Sequence, residues 1–340
     1  MEADLVKRAG VPFRAIPAAG VHGVGLRALP GNLWRLGRGY LAARQVLREF
    51  RPQALLFTGG YVAVPLALAA RLSLKKSSRP ASLVYVPDIE PGLALKTLIR
   101  FSDQVAVTSE RTRSYIPGRR SVTVSGYPVR NDLKAVSKEQ GRAVLGLQAD
   151  LPTLLILGGS KGARTINRAL IAVLPRLLSE MQVVHISGAL DWDEVTEAKR
   201  KLPGDLASRY YAAPYLHEEM GAALSAADLV LSRAGASTLG EYPLFGLPAV
   251  LVPYPYAWRY QRTNAAYLVE RGAAELLPDS DLAQRLLPVV QEIMRDAERR
   301  TRMAEAMCAL AQPQAADTIA RVLSELSLKT AREGNSTWSA

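Results

Sequence analysis

Short apolar runs alternate with amphipathic stretches along most of the chain. Several of the runs, such as LLIL and LVLS, are apolar at almost every position, which is typical of parallel strands covered by helices on both faces. The runs predict strands at Ala54–Thr58, Ser82–Val86, Gln104–Thr108, Val122–Ser125, Thr153–Leu157, Gln182–Ile186, Leu229–Ser232 and Ala249–Val252. The stretches between them predict helices at Leu33–Phe50, Val62–Leu74, Glu139–Leu145, Ala163–Leu178, Glu194–Lys201, Met220–Ala226, Ser237–Phe245, Arg259–Arg271 and, broken near Pro313, Val289–Leu326. This alternation predicts an α/β fold with doubly wound parallel sheets.

The length of the chain, 340 residues, is that of about two domains. The polar stretch over Arg130–Asp150 is the best candidate for the boundary between them. We therefore expect an N-terminal domain over residues 1–130, a C-terminal domain over residues 131–327 and a frayed tail over residues 328–340.

The net positive charge of the chain is confined to its first part. Residues 1–130 contain 20 Lys and Arg against 7 Asp and Glu, a balance of +13, whereas residues 131–340 contain 23 against 24, a balance of −1. An anionic partner of the first part would explain this asymmetry: an anionic membrane surface, a phosphorylated substrate or a nucleic acid. An Arg-rich surface encoded by a GC-rich genome is the alternative, because 16 of the 20 cations are Arg. Since no segment resembles a nucleic-acid-binding module, nucleic acid ranks below a lipid or phosphosugar partner.

The composition argues against several classes of protein. The single cysteine, Cys308, rules out an intrachain disulfide and a cysteine-based zinc cluster. No apolar run reaches the ~18 residues of a membrane-spanning helix, and residues 1–10 lack the apolar region of a signal peptide. We therefore expect a soluble protein of a reducing compartment.

Two strand-to-helix turns contain residues suited to a nucleotide, because ligands of open α/β sheets bind beyond the carboxyl ends of the strands. After LLIL, the turn GGSKGA (residues 158–163) offers helix N-terminal N–H groups to a phosphate, and Ser160 adds a hydroxyl donor. After LVLS, the segment RAGASTLGE (residues 233–241) places Glu241 where its carboxylate could accept both hydroxyls of a ribose. The alternatives are an ordinary turn and a capping box in which Ser237 or Thr238 caps the helix with Glu241 as its partner.

Two further loops contain candidate binding or catalytic residues. The aromatic segment PYPYAWRYQRTN (residues 253–264) follows a buried strand and suits a platform for a sugar or a base, or a small satellite core. In the basic first part, PDIEPG (residues 87–92) places Asp88 and Glu90 after a strand. They are candidate bases or hydroxyl ligands, and plain turn chemistry is the alternative.

The predicted helix Leu33–Phe50 combines four arginines with an apolar stripe and begins near Trp34. Basic flanks, an aromatic side chain and an apolar stripe suit a peripheral contact with a membrane. An ordinary amphipathic surface helix is the alternative.

Five motifs follow one another along the chain: GGYVAVP (59–65), GYPVR (126–130), GGSKGA (158–163), RAGASTLGE (233–241) and PYPYAWRYQRTNA (253–265). In this order and spacing, over nearly the whole chain, they resemble the MurG family of bacterial glycosyltransferases. The resemblance implies a GT-B fold, in which two Rossmann-like domains, the N-terminal one truncated here, enclose the reaction in a cleft. It implies transfer of N-acetylglucosamine from UDP-N-acetylglucosamine to lipid I, giving lipid II for peptidoglycan, with inversion and without a metal or other cofactor. It also implies a peripheral enzyme of the cytoplasmic face of the cell membrane, acting in cell-wall biogenesis, cell shape and cell division.

The resemblance further implies roles for individual residues in the C-terminal domain. The positions that match the family's donor site are Arg130, Gly159, Ser160, Leu216, Arg233, Ala236, Ser237, Thr238, Glu241, Gln261 and Asn264. Glu241 would hold the ribose, and Leu216 or His217 would meet the uracil through backbone groups. Gln261 and Asn264 would reach the sugar hydroxyls.

The acceptor side of the resemblance lies in the N-terminal domain. This domain would bind the polyprenyl diphosphate of lipid I, in agreement with its positive charge. Gly59, Gly60 and Tyr61 match positions of the acceptor site. Asp88 and Glu90 are the candidates for the base that deprotonates the acceptor hydroxyl.

The chain departs from the family in three places. Family members open with a strand, a GGTGGH loop and a helix, whereas this sequence opens at MEADLV; we expect a misassigned start codon, with a shortened protein as the alternative. The family segment HEQNxxPG reads YVPDIEPG (85–92), with Asp88 in place of Asn. Lys161 replaces the usual Gln, and Tyr256 replaces the usual His. These departures leave two alternatives open: a lipid glycosyltransferase with another acceptor, such as a diacylglycerol or a secondary-wall lipid, and a non-catalytic protein that binds a UDP-sugar.

Overall fold

The computed structural model describes residues 3, 6–7, 9–18, 29–72, 79–131, 133, 136–159, 162–256 and 260–336. The first of its two parallel sheets has four strands in sequence order, β1 (Ala54–Phe57), β2 (Ala81–Val86), β3 (Gln104–Val107) and β4 (Ser121–Val124). The helices of this half are α1 (Leu29–Phe50), α2 (Ala63–Leu72) and α3 (Leu93–Phe101), and a 3-10 turn over Glu110–Tyr115 joins β3 to β4. All six residues of β2 are buried, as expected for a strand covered on both faces.

The second sheet has six parallel strands in the order β10-β9-β8-β5-β6-β7. Its strands are β5 (Thr153–Leu157), β6 (Gln182–Ile186), β7 (Tyr210–Ala213), β8 (Leu229–Ser232), β9 (Ala249–Leu251) and β10 (Ala274–Leu276). The chain winds outward from β5 to β7 and then crosses back to place β8 on the other side of β5. Because the turns after β5 and β8 lead away in opposite directions, a crevice opens at their carboxyl ends.

Helices cover both faces of the second sheet. The helices that follow β4 in the chain are α4 (Lys138–Val144), α5 (Arg164–Leu178), α6 (Trp192–Arg200), α7 (Gly204–Ala207), α8 (Met220–Ala226), α9 (Glu241–Phe245), α10 (Tyr260–Val269), α11 (Leu282–Arg295), α12 (Ala297–Cys308) and α13 (Ala315–Ser336). Alternate residues of β5 point to opposite faces, so that Leu154 and Ile156 pack with α5 and α11, whereas Leu155 packs with α8 and α10. The sheet therefore separates two buried cores.

The predicted strands are confirmed to within one residue at each end, and the α/β alternation is confirmed with them. Two strands, β7 and β10, and two helices, α3 and α7, were not predicted. The predicted helix Ser237–Phe245 is divided into a 3-10 turn, Ala236–Leu239, and α9. The division falls at Gly240, where a Cβ would lie 2.7 Å from the Cβ of Tyr127, so close packing against the first half fixes this position as glycine.

The last helix leaves the second half and packs on the first sheet. Ile319 and Val322 of α13 contact Leu83, Tyr85 and Ala106 of β2 and β3. The helix continues to Ser336, past residue 328, where a frayed tail was expected. An apolar face that is buried on a sheet stabilises a helix beyond its own propensity, which applies to α13 as far as Leu326. The frayed tail over residues 328–340 stays a prediction. The boundary at residues 130 and 131 stays a prediction.

No helix within the described ranges is both long enough and apolar enough to cross a membrane.

Candidate active site

A cavity of ≈1110 Å³ lies at the crevice between the turns after β5 and β8. It brings together seven of the residues predicted to bind the donor: Arg130, Gly159, Arg233, Ser237, Thr238, Glu241 and Gln261. These residues come from four separate segments of the sequence, which meet at the carboxyl ends of the parallel strands. The position agrees with the general rule for ligands of open α/β sheets.

The Gly-rich turn after β5 requires glycine for steric reasons. Gly159 and Gly162 have φ of 77° and 78°, which disfavours L side chains. A Cβ on Gly158 would lie 2.7 Å from Ala163 N, and a Cβ on Gly162 would lie 2.5 Å from Ser187 O. The turn leads directly into α5, which has no side-chain cap at its N-terminus. Backbone N–H groups are therefore presented to the cavity, as in a phosphate site. The predicted ligand Ser160 and the departure Lys161 lie outside the described residues.

The turn after β8 places Glu241 at the start of α9, on the cavity wall. Burial raises the pKa of this carboxyl, and the charge of Arg130 and a hydrogen bond with Ser237 act in the opposite direction. The prediction that Ser237 or Thr238 caps the helix is wrong, because the N-cap positions are Gly235 and Gly240 and no side-chain cap is made. The Thr238 hydroxyl instead donates to Gly235 O at 2.7 Å. A half-desolvated carboxylate facing a cavity is well suited to a pair of ligand hydroxyls.

Arg233 stabilises the wall of the cavity through several contacts. Its guanidinium donates to Asp279 Oδ1 at 2.5 Å, to Thr165 Oγ1 at 2.7 Å and to Val252 O at 3.2 Å. It also lies over the Tyr254 ring, 5.2 Å from the centroid. These contacts tie the end of β8 to the neighbouring turns, so that the shape of the cavity depends on Arg233 whether or not it touches a ligand.

The aromatic loop after β9 forms the rim of the cavity. Tyr254 and Tyr256 are 44% and 81% exposed, and their rings meet edge to face with centroids 5.6 Å apart. Gln261 Oε1 accepts a hydrogen bond from Tyr254 N at 2.8 Å and lines the cavity. The exposure of these two rings argues against a satellite core, and the platform for a sugar or a base stays a prediction.

The structure places Asn264 between the two halves of the molecule rather than on the cavity wall. The residue is fully buried. Its Oδ1 accepts from Ile89 N at 3.0 Å, and its Nδ2 donates to Asp88 Oδ1 at 2.8 Å and to Ala234 O at 3.2 Å. The amide therefore uses its donors and its acceptor within the protein, and it joins the turn after β2 to the turn after β8. Ile89 itself is fully buried in the core of the second half.

Asp88 lies beside this contact. Burial raises the pKa of the Asp88 carboxyl, and the hydrogen bond from Asn264 opposes the increase. Tyr127 contacts Gly240 of the second half, and the charges of Glu241 and Asp88 both raise its pKa in addition to burial. Asp88 therefore lies close to the residues that border the cavity.

The other predicted residues lie away from the cavity wall. Glu90 is 7% exposed and its Oε1 lies 3.4 Å from Lys96 Nζ. Leu216 is buried in the second core, so that only its backbone could meet a ligand. Gly59 and Gly60 have φ of 116° and 77° in the turn after β1, beside the exposed Tyr61. Ala236 is half-buried in its 3-10 turn.

Sequence reasoning missed three charged residues of the cavity wall, Arg164, Asp191 and Asp279. Arg164 follows GGSKGA directly, Asp191 follows β6 in the turn SGALD, and Asp279 follows β10. All three positions lie just beyond a strand end, which is the signal that could have identified them.

The exposed face of α1 is apolar and basic. Leu33, Trp34 and Leu41 are 57%, 64% and 61% exposed, whereas Leu47 of the opposite face is buried against α2. The Arg38 guanidinium lies 4.9 Å from the centroid of the Trp34 ring. The predicted apolar stripe is therefore divided between a buried face and an exposed one.

Comparison with known proteins agrees with this geometry. Residues 1–107 match the model of the glycosyltransferase family 28 N-terminal domain, and residues 153–322 match that of its C-terminal domain. Two relatives bear the name UDP-N-acetylglucosamine--N-acetylmuramyl-(pentapeptide) pyrophosphoryl-undecaprenol N-acetylglucosamine transferase. The protein from Roseiflexus sp. (strain RS-1) is 42% identical, over 97% of this chain and 82% of its own. The protein from Desulforudis audaxviator (strain MP104C) is 38% identical, over 98% of this chain and 89% of its own.

Solved structures support the same family. The crystal structure of MurG from Acinetobacter baumannii superposes with a TM-score of 0.72 at 28% identity, over 96% of this chain and 88% of that one. The predicted GT-B fold is confirmed, and the protein is a glycosyltransferase. With both domain models matched, and with relatives above 30% identity along almost its whole length, the chain belongs to glycosyltransferase family 28 and to its MurG group.

Proposed function

We propose that the chain transfers N-acetylglucosamine from UDP-N-acetylglucosamine to lipid I, forming lipid II for peptidoglycan. The observation that carries the proposal is the cavity in which a glycine turn at a helix N-terminus lies beside the carboxylate of Glu241. A nucleoside diphosphate needs both an anion site and a partner for its ribose hydroxyls. The names of the relatives supply the sugar and the acceptor.

The cavity supports the following arrangement of the donor. The diphosphate would lie on the N–H groups of the turn Gly158–Gly162 and the ribose on Glu241, with Arg130, Ser237, Thr238 and Arg233 around them. Gln261 would face the sugar from the rim. Ser160, Leu216 and Ala236 keep the donor roles that the family resemblance implies.

Asp88 is the proposed base. Its carboxylate would take the proton of the acceptor hydroxyl as the hydroxyl oxygen forms a bond to the anomeric carbon, with UDP leaving with the electron pair of the broken C–O bond. Burial raises the pKa of Asp88, so this pKa lies nearer to neutral pH than that of an exposed aspartate. Glu90 is the second candidate, and its Oε1 lies 3.4 Å from Lys96 Nζ.

The acceptor and the membrane would lie on the first half. Gly59, Gly60 and Tyr61 form a turn at the same edge of the first sheet as Asp88, and this half has the balance of +13. The exposed face of α1 suits insertion into the headgroup region of an anionic membrane. We therefore place the enzyme at the cytoplasmic face of the cell membrane, as a peripheral protein.

A second candidate is transfer of the same sugar to another lipid, and Asp88 in place of the family's Asn favours it. Calorimetric titration without added metal compares the binding of UDP-N-acetylglucosamine, UDP-glucose and UDP to the chain. We expect saturable binding that prefers the N-acetyl sugar and is lost in Glu241→Ala, with the exposed Glu194→Ala as the matched control. An absence of binding by the folded chain would contradict the donor assignment. A transfer assay with lipid I and a diacylglycerol then decides between the two acceptors, and a chain that binds the donor without any transfer is the non-catalytic alternative.

A further inference from the structure

Arg164 is a cation on the cavity wall beside the Gly-rich turn. It is the first residue of α5. Its side chain is 60% exposed, and its Nε donates to Asp191 Oδ1 at 2.8 Å. Among the residues that the structure describes, this is the only hydrogen bond of the Arg164 guanidinium, so both Nη groups remain available to a ligand.

A buried series of hydrogen bonds fixes the position of the Asp191 side chain. Its side chain is 4% exposed. Asn167 Nδ2 donates to Asp191 Oδ2 and to Ser187 O, both at 2.9 Å. Because both amide protons are used, Asn167 Oδ1 accepts from His185 Nε2 at 3.0 Å, and His185 Nδ1 accepts from the Tyr210 hydroxyl at 2.7 Å. This chain of contacts fixes the orientation of the Asp191 carboxylate.

Within this series of hydrogen-bonded residues, Arg164 is the charged partner of Asp191. Burial lowers the pKa of His185 to about 3, so its imidazole is neutral. The hydrogen bond and the charge of Asp191 raise the pKa of Arg164. Removing a cationic partner of a buried carboxylate is strongly unfavourable, so the pair stays together and the guanidinium stays in place.

We propose that Asp191, backed by Asn167 and His185, is a positioning residue that directs Arg164 at the diphosphate of the UDP-sugar. The inference rests on the proposed function, which places the diphosphate on the Gly-rich turn. A guanidinium held through Nε presents Nη1 and Nη2 to two phosphate oxygens, and its charge adds to that of the helix N-terminus. The contact strengthens as UDP leaves, because the diphosphate then gains negative charge.

Titration of the full chain with UDP and with uridine, which lacks the diphosphate, tests this proposal. We expect Arg164→Ala to weaken UDP binding about 10- to 100-fold, the range for one charge-assisted hydrogen bond, and to leave uridine binding unchanged. Asp191→Asn keeps the shape of the side chain, and we expect it to weaken UDP binding by a smaller factor. It should have no further effect in the Arg164→Ala background.

Arg168→Ala is the matched control. Arg168 lies one turn further along α5, is also 60% exposed, and pairs with Glu194 at 3.3 Å, but it does not line the cavity. UDP binding should be unchanged in this variant, and unchanged uridine binding shows that each variant is folded.

Three results would overturn the inference, each in a different way. Unchanged UDP affinity in Arg164→Ala would exclude the contact. Equal losses for UDP and uridine in Asp191→Asn, or effects that add fully in the double variant, would exclude the positioning role. A wild-type chain that binds neither ligand would overturn the proposed function, and this inference with it.

Discussion

Substitution of Asn264 by alanine tests the contact between the two halves of the molecule. The substitution removes the acceptor of Ile89 N–H and a donor to the Ala234 carbonyl, and both residues are fully buried. A buried polar group without a partner costs about 1–3 kcal/mol, so two such groups lower the free energy of unfolding by about 2–6 kcal/mol. Urea denaturation followed by circular dichroism measures this loss.

The same variant has a specific effect on pH dependence. The hydrogen bond from Asn264 Nδ2 is the contact that lowers the pKa of Asp88 against the effect of burial. Without it, the pKa of Asp88 rises. If Asp88 is the base, the acid limb of kcat/KM reports this group in the free enzyme and moves to higher pH.

Asn167→Ala is the matched control. This variant also removes a buried amide with three hydrogen bonds, but all the partners of Asn167 lie in the second half. It should lower stability without moving the acid limb. A stability change below about 0.5 kcal/mol in Asn264→Ala would refute the argument from buried polar groups. An acid limb that stays in place would refute the link between Asn264 and the base.

Three further predictions concern other parts of the molecule. Since burial raises the pKa of Glu241 in the folded state, wild-type stability falls as the pH rises through that value; urea titrations should show Glu241→Gln more stable relative to wild type at pH 8 than at pH 4, and equal differences would contradict this. Burial lowers the pKa of His185 from 6.5 to about 3 on folding, so below pH 6.5 the unfolded chain binds a proton that the folded chain does not. The free energy of unfolding therefore decreases by about 1.4 kcal/mol for each pH unit that the pH falls. His185→Gln should remove this slope between pH 6 and pH 4, and a persistent slope would assign it elsewhere. Leu41→Asp on α1 should weaken sedimentation with anionic phospholipid vesicles, whereas Leu328→Asp, with a similar exposure of 58%, should not; equal effects would exclude α1 as the contact.

Local patterns carried most of the fold prediction. The continuous apolar run of β5 and the long helix α5 are strong signals because burial on both faces and helical periodicity leave clear traces. The strand β7 was missed because its sequence, YYAA, contains no Val, Ile or Leu and three of its four residues are only half-buried. The strand β10 was missed because Glu275 lies in the middle of its three residues. The helix α3 carries Leu95, Leu98 and Ile99 at helical spacing, so its signal was present but followed a Pro-Gly turn that favours a loop interpretation.

The candidate site was less accessible to sequence reasoning. The glycine turn and Glu241 could be placed because strand ends define one edge of a parallel sheet. The contact of Asn264 with Asp88 could not be predicted, because it depends on how the two halves meet in three dimensions. Arg233 could be assigned to the site from its position, but its bracing contacts with Asp279 and Thr165 depend on three-dimensional packing alone.

The return of α13 to the first sheet has a consequence for the order of folding. The face formed by Leu83, Tyr85 and Ala106 is covered by residues at the far end of the chain. During synthesis this face stays open to solvent until the last helix has left the ribosome, when the rest of the molecule is already able to fold. The N-terminal half is thus completed last, through contacts of large sequence separation that form slowly. A C-terminal truncation that removes Ile319 and Val322 should therefore damage the N-terminal half, the half most distant from the cut in sequence.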